Sequence, residues 1–341
     1  MSVELPFAVE LRGIGGLNVC EACLDRATPE NAKKLPEVPR AIGEDTVTKV
    51  LSANSFISDK LKVCNQELSD HLGSDVIVIN SIIGNGLDDA VRRKIEGLKK
   101  RKSRLSVILE TDGGYVEVTE RISDVFRKHY KTVDYIVPNC AYSAGTILCM
   151  SGDSIYMDYF SVLGPIDPQT EGQNGQLVPA TGYLEKYNEI IEKSKNGTIT
   201  TAELHYLVSS FDAAELYSIE QARKQSVTLI KKWLVKHKFK NWKKTKTQGK
   251  TVTREMKTAR AEKIADTLND TNLWHSHGRG IPMATLKSAK IKLEVEDFGK
   301  DKVLNRLIKD YYDLITDYGQ KNRYIYYIHS RDGFKILRRK K

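Results

Sequence analysis

The chain is 341 residues long, 40% hydrophobic and 29% charged, which excludes a disordered polymer and leaves room for one large or two ordinary domains. No segment offers about 18 uninterrupted apolar residues, and the opening MSVELPFAVELRGIGG lacks a basic run leading into an apolar core. A soluble, cytoplasmic chain without a membrane partner is expected, and five unevenly spaced cysteines fit a reducing compartment better than a disulfide scaffold.

Residues 1–55 read as an extended arm, polar and irregular, with Pro29, Pro36 and Pro39 and no apolar period. Within it Cys20 and Cys23 have zinc-ligand spacing, yet no second CxxC or CxxH follows to complete four ligands. Two ordinary thiols are the simpler reading; an intermolecular site, with two chains each giving a pair, is the other.

Residues 56–178 alternate strands with helices. DVIVINSI (75–82), RLSVILET (104–111), TVDYIVP (132–138) and DSIYM (153–157) are short apolar or β-branched runs. Between them LDDAVRRKIEGLKKRK, VEVTERISDVFRKHY and CAYSAGTILCMSG read as helices. The alternation argues for βαβ crossovers, an α/β class and a parallel sheet with its ligands at strand C-termini. Residues 179–341 form a mainly α-helical C-terminal extension, through TGYLEKYNEIIEKS, DAAELYSIEQARKQSVTLIKKWLVKH and REMKTARAEKIADTL. The chain closes in NRYIYYIHSRDGFKILRR, a hairpin whose turn contains Asp332 and Gly333.

The formal charge of +10 is unevenly placed. Lys231–Arg260 holds twelve lysines or arginines against one acid, Glu255. Trp233, Phe239 and Trp242 are interleaved with them, a composition that suits an anionic partner such as nucleic acid, although no recognised nucleic-acid motif accompanies it. A solvated helix face followed by a basic loop is the plainer alternative.

Two glycine-containing stretches end neighbouring strands: ETDGGYVEV after the second and AYSAGT after the third. Glycines at a strand end let backbone N–H groups point into the space above the sheet, where they can hold an oxyanion. Ser143, opening the next helix before the small Ala144 and Gly145, presents a hydroxyl to the same region. Together these are parts of an acyl-transfer site, while separately each has a structural reading as helix cap or turn.

From Asp75 to Gln169 the order of these motifs, closing in GPIDPQ at Gly164–Gln169, resembles the ClpP/crotonase fold of serine peptidases. In particular it is similar to the serine dehydrogenase proteinase family, relatives of the signal peptide peptidase SppA. Roughly 95 residues carry the resemblance, with weaker similarity as far as HSHGRGIP. Gly114 and Ser143 lie 29 residues apart, close to the spacing between the relatives' oxyanion turn and their nucleophile. The resemblance implies Ser143 as nucleophile, and Gly113 or Gly114 with Ala144 as the oxyanion hole. It also implies that Tyr115 and Val116 lie beside an extended peptide substrate. TDGG stands where SPGG is usual, preserving both glycines.

A serine hydroxyl needs a base. The resemblance points to a histidine about 25 residues after the serine, as in ClpP, but this chain has Pro168 there, preceded by Asp167. His277, in a loop resembling an HGxxI element of the proteinase family, is the leading base. His275, Lys193 and Lys195 are alternatives, the lysines by analogy with SppA. Asp167 either orients the histidine or shapes its loop. Cys140 and Cys149 read as core residues beside the serine's helix, a redox-sensitive Cys140 being the weaker option. The expected protein is a homo-oligomeric, ATPase-independent serine peptidase acting on polypeptides without metal or cofactor. A catalytically inactive scaffold of the same fold that binds peptides or a partner is the alternative, and crotonase-type acyl-CoA chemistry is a more distant one.

Overall fold

The computed structural model describes residues 52–171, 177–245 and 248–337, and in the arm a two-residue ladder of Gly13–Ile14 against Leu17–Asn18. Met1–Leu51 and Ser52–Lys341 are separate compact units, and Cys20 and Cys23 lie outside the described residues.

From Ser52 the elements begin α1 (Ala53–Leu72), β1 (Asp75–Asn80), α2 (Leu87–Gly97), β2 (Arg104–Glu110), α3 (Val116–His129) and β3 (Thr132–Ile136). They continue with β4 (Cys140–Ala141), α4 (Ala144–Met150), β5 (Ser154–Met157), β6 (Val162–Leu163), β7 (Gln169–Glu171) and β8 (Leu177–Pro179). The helical part holds α5 (Ala180–Lys195), α6 (Thr201–Ser210), α7 (Ala213–Trp233) and α8 (Arg254–Leu268). After it come α9 (Thr271–Trp274), β9 (Ile281–Pro282), α10 (Met283–Lys287), β10 (Glu296–Asp297), α11 (Lys302–Lys321) and the hairpin β11 (Tyr326–Ser330) and β12 (Gly333–Leu337).

The main sheet has the order β10-β5-β3-β2-β1-β11-β12. Its first five strands are parallel, and the C-terminal hairpin adds two antiparallel strands beside β1. The twofold alternation of side chains decides what each face carries. Ile77, Ile79, Leu105, Val107 and Tyr135 point to one side and join the core made with α2, α3, α4, α7 and α8. Val76, Val78, Ile108 and Ile136 point to the other and meet Leu61 and Leu68 of α1 and Ile308 and Ile315 of α11. The result is an α/β sandwich with helices on both sheet faces, in which the parallel strands are buried on both sides, as their near-continuous apolar sequences require. Among the described residues no helix is long and apolar enough to cross a membrane.

Helix boundaries follow local chemistry. Asp212 accepts from the Ala214 and Glu215 N–H groups at the start of α7, and Thr200 with Glu203 forms a reciprocal capping box on α6. A smaller sheet, β9-β6-β4, places Ile281–Pro282 antiparallel to Val162–Leu163, which runs parallel to Cys140–Ala141. That sheet carries the loop before β9 toward the serine.

The second face holds a buried polar relay. Asn65 Nδ2 donates to Val76 O and to the Tyr311 hydroxyl, each at 3.0 Å, and that hydroxyl lies 2.5 Å from His329 Nδ1. Burial, with Lys94 and Lys62 nearby, pushes His329 down to about 3, so its ring is neutral in the fold. His237 is pushed down to about 4, first by burial and then by Arg127. Both folded values lie below the ordinary histidine value, so between them and about 6.5 the unfolded chain binds more protons and stability falls as pH falls. Thermal unfolding from pH 7 to pH 5 should show a declining midpoint, and His329→Gln should start lower but decline less steeply.

Candidate active site

The Gly-Gly turn follows β2 directly. Gly113 has φ +106° and Gly114 φ +142°, conformations that a side chain strongly disfavours. The Gly113 carbonyl accepts from Ile83 N–H at 2.7 Å, and Tyr115 N–H donates to the Ile83 carbonyl at 2.8 Å. These two bonds bracket Gly114 in a parallel bridge with Ile83 and turn its own N–H away from that strand. A Cβ on Gly114 would lie 2.2 Å from Ile83 O; one on Gly113 would lie 2.8 Å from Ser143 Cβ and 3.0 Å from Tyr142 O. The turn and the serine therefore touch through a space that no side chain can enter.

Thr111 brings the serine there. Its N–H donates to Cys140 O at 3.2 Å and its carbonyl accepts from Tyr142 N–H at 2.9 Å, bridging Thr111 to Ala141. Ser143 then turns with φ +50° and ψ −116°, outside the helical region, before α4 begins at Ala144. It makes no capping hydrogen bond, so the ordinary reason for a serine at a helix start does not apply here. A non-glycine residue in this conformation stores about 1–3 kcal/mol of backbone strain, offset by an α4 whose seven residues are all buried. Gly145 permits the close packing, since a Cβ there would meet Thr111 Cγ2 at 2.3 Å.

The N–H groups around Ser143 differ in their commitments. Gly113 N–H donates to Thr111 Oγ1 at 3.0 Å. Gly114, Ser143 and Ala144 N–H have no acceptor among the described residues, so backbone donors stand available beside the serine hydroxyl. Tyr115 N–H is engaged by Ile83 and Val116 already opens α3, so the expected pairing of this segment with an extended peptide is not available to Tyr115 N–H.

The segment after β6 returns beside the serine. Thr146 Oγ1 accepts from Gly164 N–H at 2.9 Å and lies 2.8 and 2.9 Å from the Ala141 and Gly164 carbonyls, sharing its one hydrogen between them. Gly164 is pressed against Tyr142 and Ser143: a Cβ there would come within 2.6 Å of Tyr142 Cδ1 and 3.2 Å of Ser143 N. Three residues on, the buried Asp167 places Oδ1 2.9 Å from His277 Nδ1, and its Oδ2 accepts from Gln169 Nε2 at 2.8 Å. A carboxylate oxygen accepts, so in this contact His277 Nδ1 is the donor and Nε2 is the ring nitrogen turned away from Asp167. No hydrogen bond joins His277 to Ser143 among the described residues.

The other base candidates are held elsewhere. His275 is exposed, with φ +61° at the end of α9. Lys193 pairs with Glu203 at 2.7 Å and Glu189 at 3.5 Å, which raises its pKa, and Lys195 pairs with Glu192 at 2.7 Å. Both lysines end α5, whose first residue bonds Pro168 O; the helix carries Lys193 and Lys195 about 20 and 22 Å along its axis from that end. Burial pushes the Cys140 thiol up to about 12 and Cys149 higher, the opposite of what a reactive thiolate needs. Among the described residues no group of three or more His, Cys, Asp or Glu could hold a metal.

In the basic segment Trp233 and Phe239 are core residues and Trp242 packs against the same core, so the rings interleaved with lysines are not free to stack on bases. Lys231, Lys232 and Lys240 pair with Glu262, Glu120 and Asp153. A cavity of about 700 Å³ nevertheless gathers Lys231, Lys232, Lys236, Arg254 and Lys257.

Residues 70–260 match the family model of ClpP-like SDH-type serine proteinases, more than half of the chain. The chain belongs to this family. Within this SDH-type family member the Gly-Gly turn, Ser143, Ala144 and Asp167 fall inside the matched span, whereas His277 lies beyond its end. Two uncharacterized proteins of Methanocaldococcus jannaschii are similar: MJ1495 is 32% identical over 100 residues, 29% of this chain and 32% of that protein. MJ0137 is 36% identical over 81 residues, 24% of this chain and 28% of that protein. The chain thus spans less than a third of the length of these curated relatives. Among solved structures, a ClpP1 mutant from Listeria monocytogenes is 13% identical with a TM-score of 0.34, covering 66% of this chain and 92% of that one.

The contact between the turn and the serine gives a direct test in the SDH-type chain. Gly113→Ala should cut labelling by a serine-reactive fluorophosphonate about 100-fold or more, because its Cβ must displace Ser143 or Tyr142. Gly182→Ala, in α5 with nothing within 4 Å of the added carbon, should label as the wild type does.

Proposed function

We propose that the protein is a serine peptidase that hydrolyses peptide bonds through an acyl-enzyme on Ser143. Ser143 Oγ attacks the scissile carbonyl as His277 Nε2 takes its proton, and Gly114 and Ala144 N–H receive the oxyanion. His277 then returns the proton to the departing amine, and a water activated in the same way releases the acyl group. Asp167 holds the imidazole in the required tautomer and stabilises the imidazolium that forms. Family membership supports the class. The observation that carries this reading is the strained, uncapped Ser143 packed on Gly113, beside backbone N–H groups that have no acceptor among the described residues.

One observation favours the inactive scaffold instead: among the described residues Ser143 and His277 share no hydrogen bond. Catalytic hydrogen bonds often tighten only with substrate bound, so peptidase remains the preferred reading. Homo-oligomer formation belongs to it, because α6 buries none of its residues and exposes Leu204, Tyr206 and Val208. An anionic partner of the basic cavity would bind through phosphate or carboxylate alone and should weaken with salt.

A fluorophosphonate probe should label the wild type and not Ser143→Ala; equal labelling would exclude Ser143 as nucleophile. Asp167→Asn should lower kcat by about 10³–10⁴ while retaining the fold, and Lys193→Ala should leave it unchanged. Peptide binding without cleavage or labelling at any pH would establish the scaffold reading.

A further inference from the structure

A second cavity, of about 610 Å³, opens between α5, α7 and the α8–α9 junction. Its walls continue into the candidate active site along the backbone. Ala180 N–H bonds Pro168 O at 2.9 Å, immediately after Asp167, and Ile166 N–H bonds Leu268 O at 3.0 Å, immediately before Asn269. Thr181 Oγ1 and Thr271 Oγ1, both in the wall, lie 3.2 Å apart, and His277 follows Thr271 by six residues.

Glu185, Glu220, Asp266 and Asp270 line this cavity, with Arg223 the one cationic residue among its lining. Leu184, Leu216, Tyr187 and Tyr217 supply apolar and aromatic surface beside these acids. Asn269 is a second and independent feature of the wall. It is 3% exposed, and neither its Oδ1 nor its Nδ2 has a hydrogen-bond partner among the described residues. A buried amide left without partners is uncommon and points to a ligand that completes it.

The chemistry of the wall selects among ligands. A metal ion is disfavoured, because no three potential ligands converge among the described residues. A free polyamine would answer the carboxylates but offer only donors, leaving Asn269 Nδ2 unpaired. A peptide group brings one donor and one acceptor, the complement of the Asn269 amide. A lysine or arginine beside it would lay its methylenes on the leucines and tyrosines and its charge among the acids. We propose that this cavity takes up a basic residue of a polypeptide together with one of its backbone amides, so that the peptidase selects segments containing lysine or arginine. The proposal rests on the peptidase reading for its biological use, whereas the binding itself does not need catalysis.

The test reads binding in the full chain carrying Ser143→Ala, by fluorescence anisotropy of labelled alanine-based ten-residue peptides with a central arginine, norleucine or glutamate. Arginine should bind about tenfold or more tighter than norleucine, and glutamate weakest. Adding Glu220→Gln and Asp266→Asn should abolish the preference for arginine. Asn269→Ala should weaken the arginine and norleucine peptides alike without lowering the melting temperature. Equal binding of arginine and norleucine, or a preference that survives the two neutralisations, overturns the proposal; so does spermidine that displaces the arginine peptide at equal concentration. A wild type that resists the fluorophosphonate yet shows the arginine preference refutes the peptidase reading alone. A labelled wild type without the preference refutes the cavity proposal alone.

Discussion

The site depends on one close approach, that of the Gly113 backbone to Ser143. An added carbon at Gly113 would stand 2.8 Å from Ser143 Cβ, so the two segments meet only because one has no side chain. The bonds between Thr111 and the Cys140–Tyr142 segment fix the approach, and those from Ile83 to Gly113 and Tyr115 fix the turn. Both sets are backbone bonds at the ends of parallel strands, where the sheet's own hydrogen bonding stops and N–H groups become free for a ligand.

That geometry is costly in isolation. Ser143 has an unfavourable φ, and Gly114 and Ala144 N–H have no acceptors among the described residues. The surroundings hold it in place: α4 is buried throughout its length, and Thr146 clamps Gly164 to Ala141 from within the same helix. Rigidity at Ser143 thus comes from packing.

Charge is segregated along the same chain. Basic residues gather where α7 runs into α8, and carboxylates gather where α5 and α7 meet the α8–α9 junction, close in connectivity to Asp167 and His277. The aromatic residues interleaved with the lysines proved to be core: Trp233 and Phe239 join it, while Lys232, Lys236 and Lys240 are exposed and burial pushes the Lys238 pKa down. Composition therefore overstated one surface, and the acidic cavity escaped notice because its acids are scattered over nearly ninety residues of sequence from Glu185 to Asp270.

The four parallel strands of the core, the three helices between them and the C-terminal hairpin were legible, since each is a local run with its own period or turn. So was the pairing of a Gly-Gly turn with Ser143, through the order and spacing of two short motifs. Helices α1 and α11 were not singled out, although their apolar stripes cover a whole face of the sheet, because a stripe becomes informative only with a surface to cover. Sequence also left Asp167 undecided between orienting a histidine and shaping a loop, and left Gly113 and Gly114 equivalent. Tertiary contacts distinguish the residues in both cases. Asp167 and His277 are 110 residues apart and meet because β9 pairs with β6, while Gly113 and Gly114 part company because Thr111 Oγ1 engages only the first N–H. Local sequence dictated which groups the chain carries; long-range strand pairing dictated which of them remain free to act.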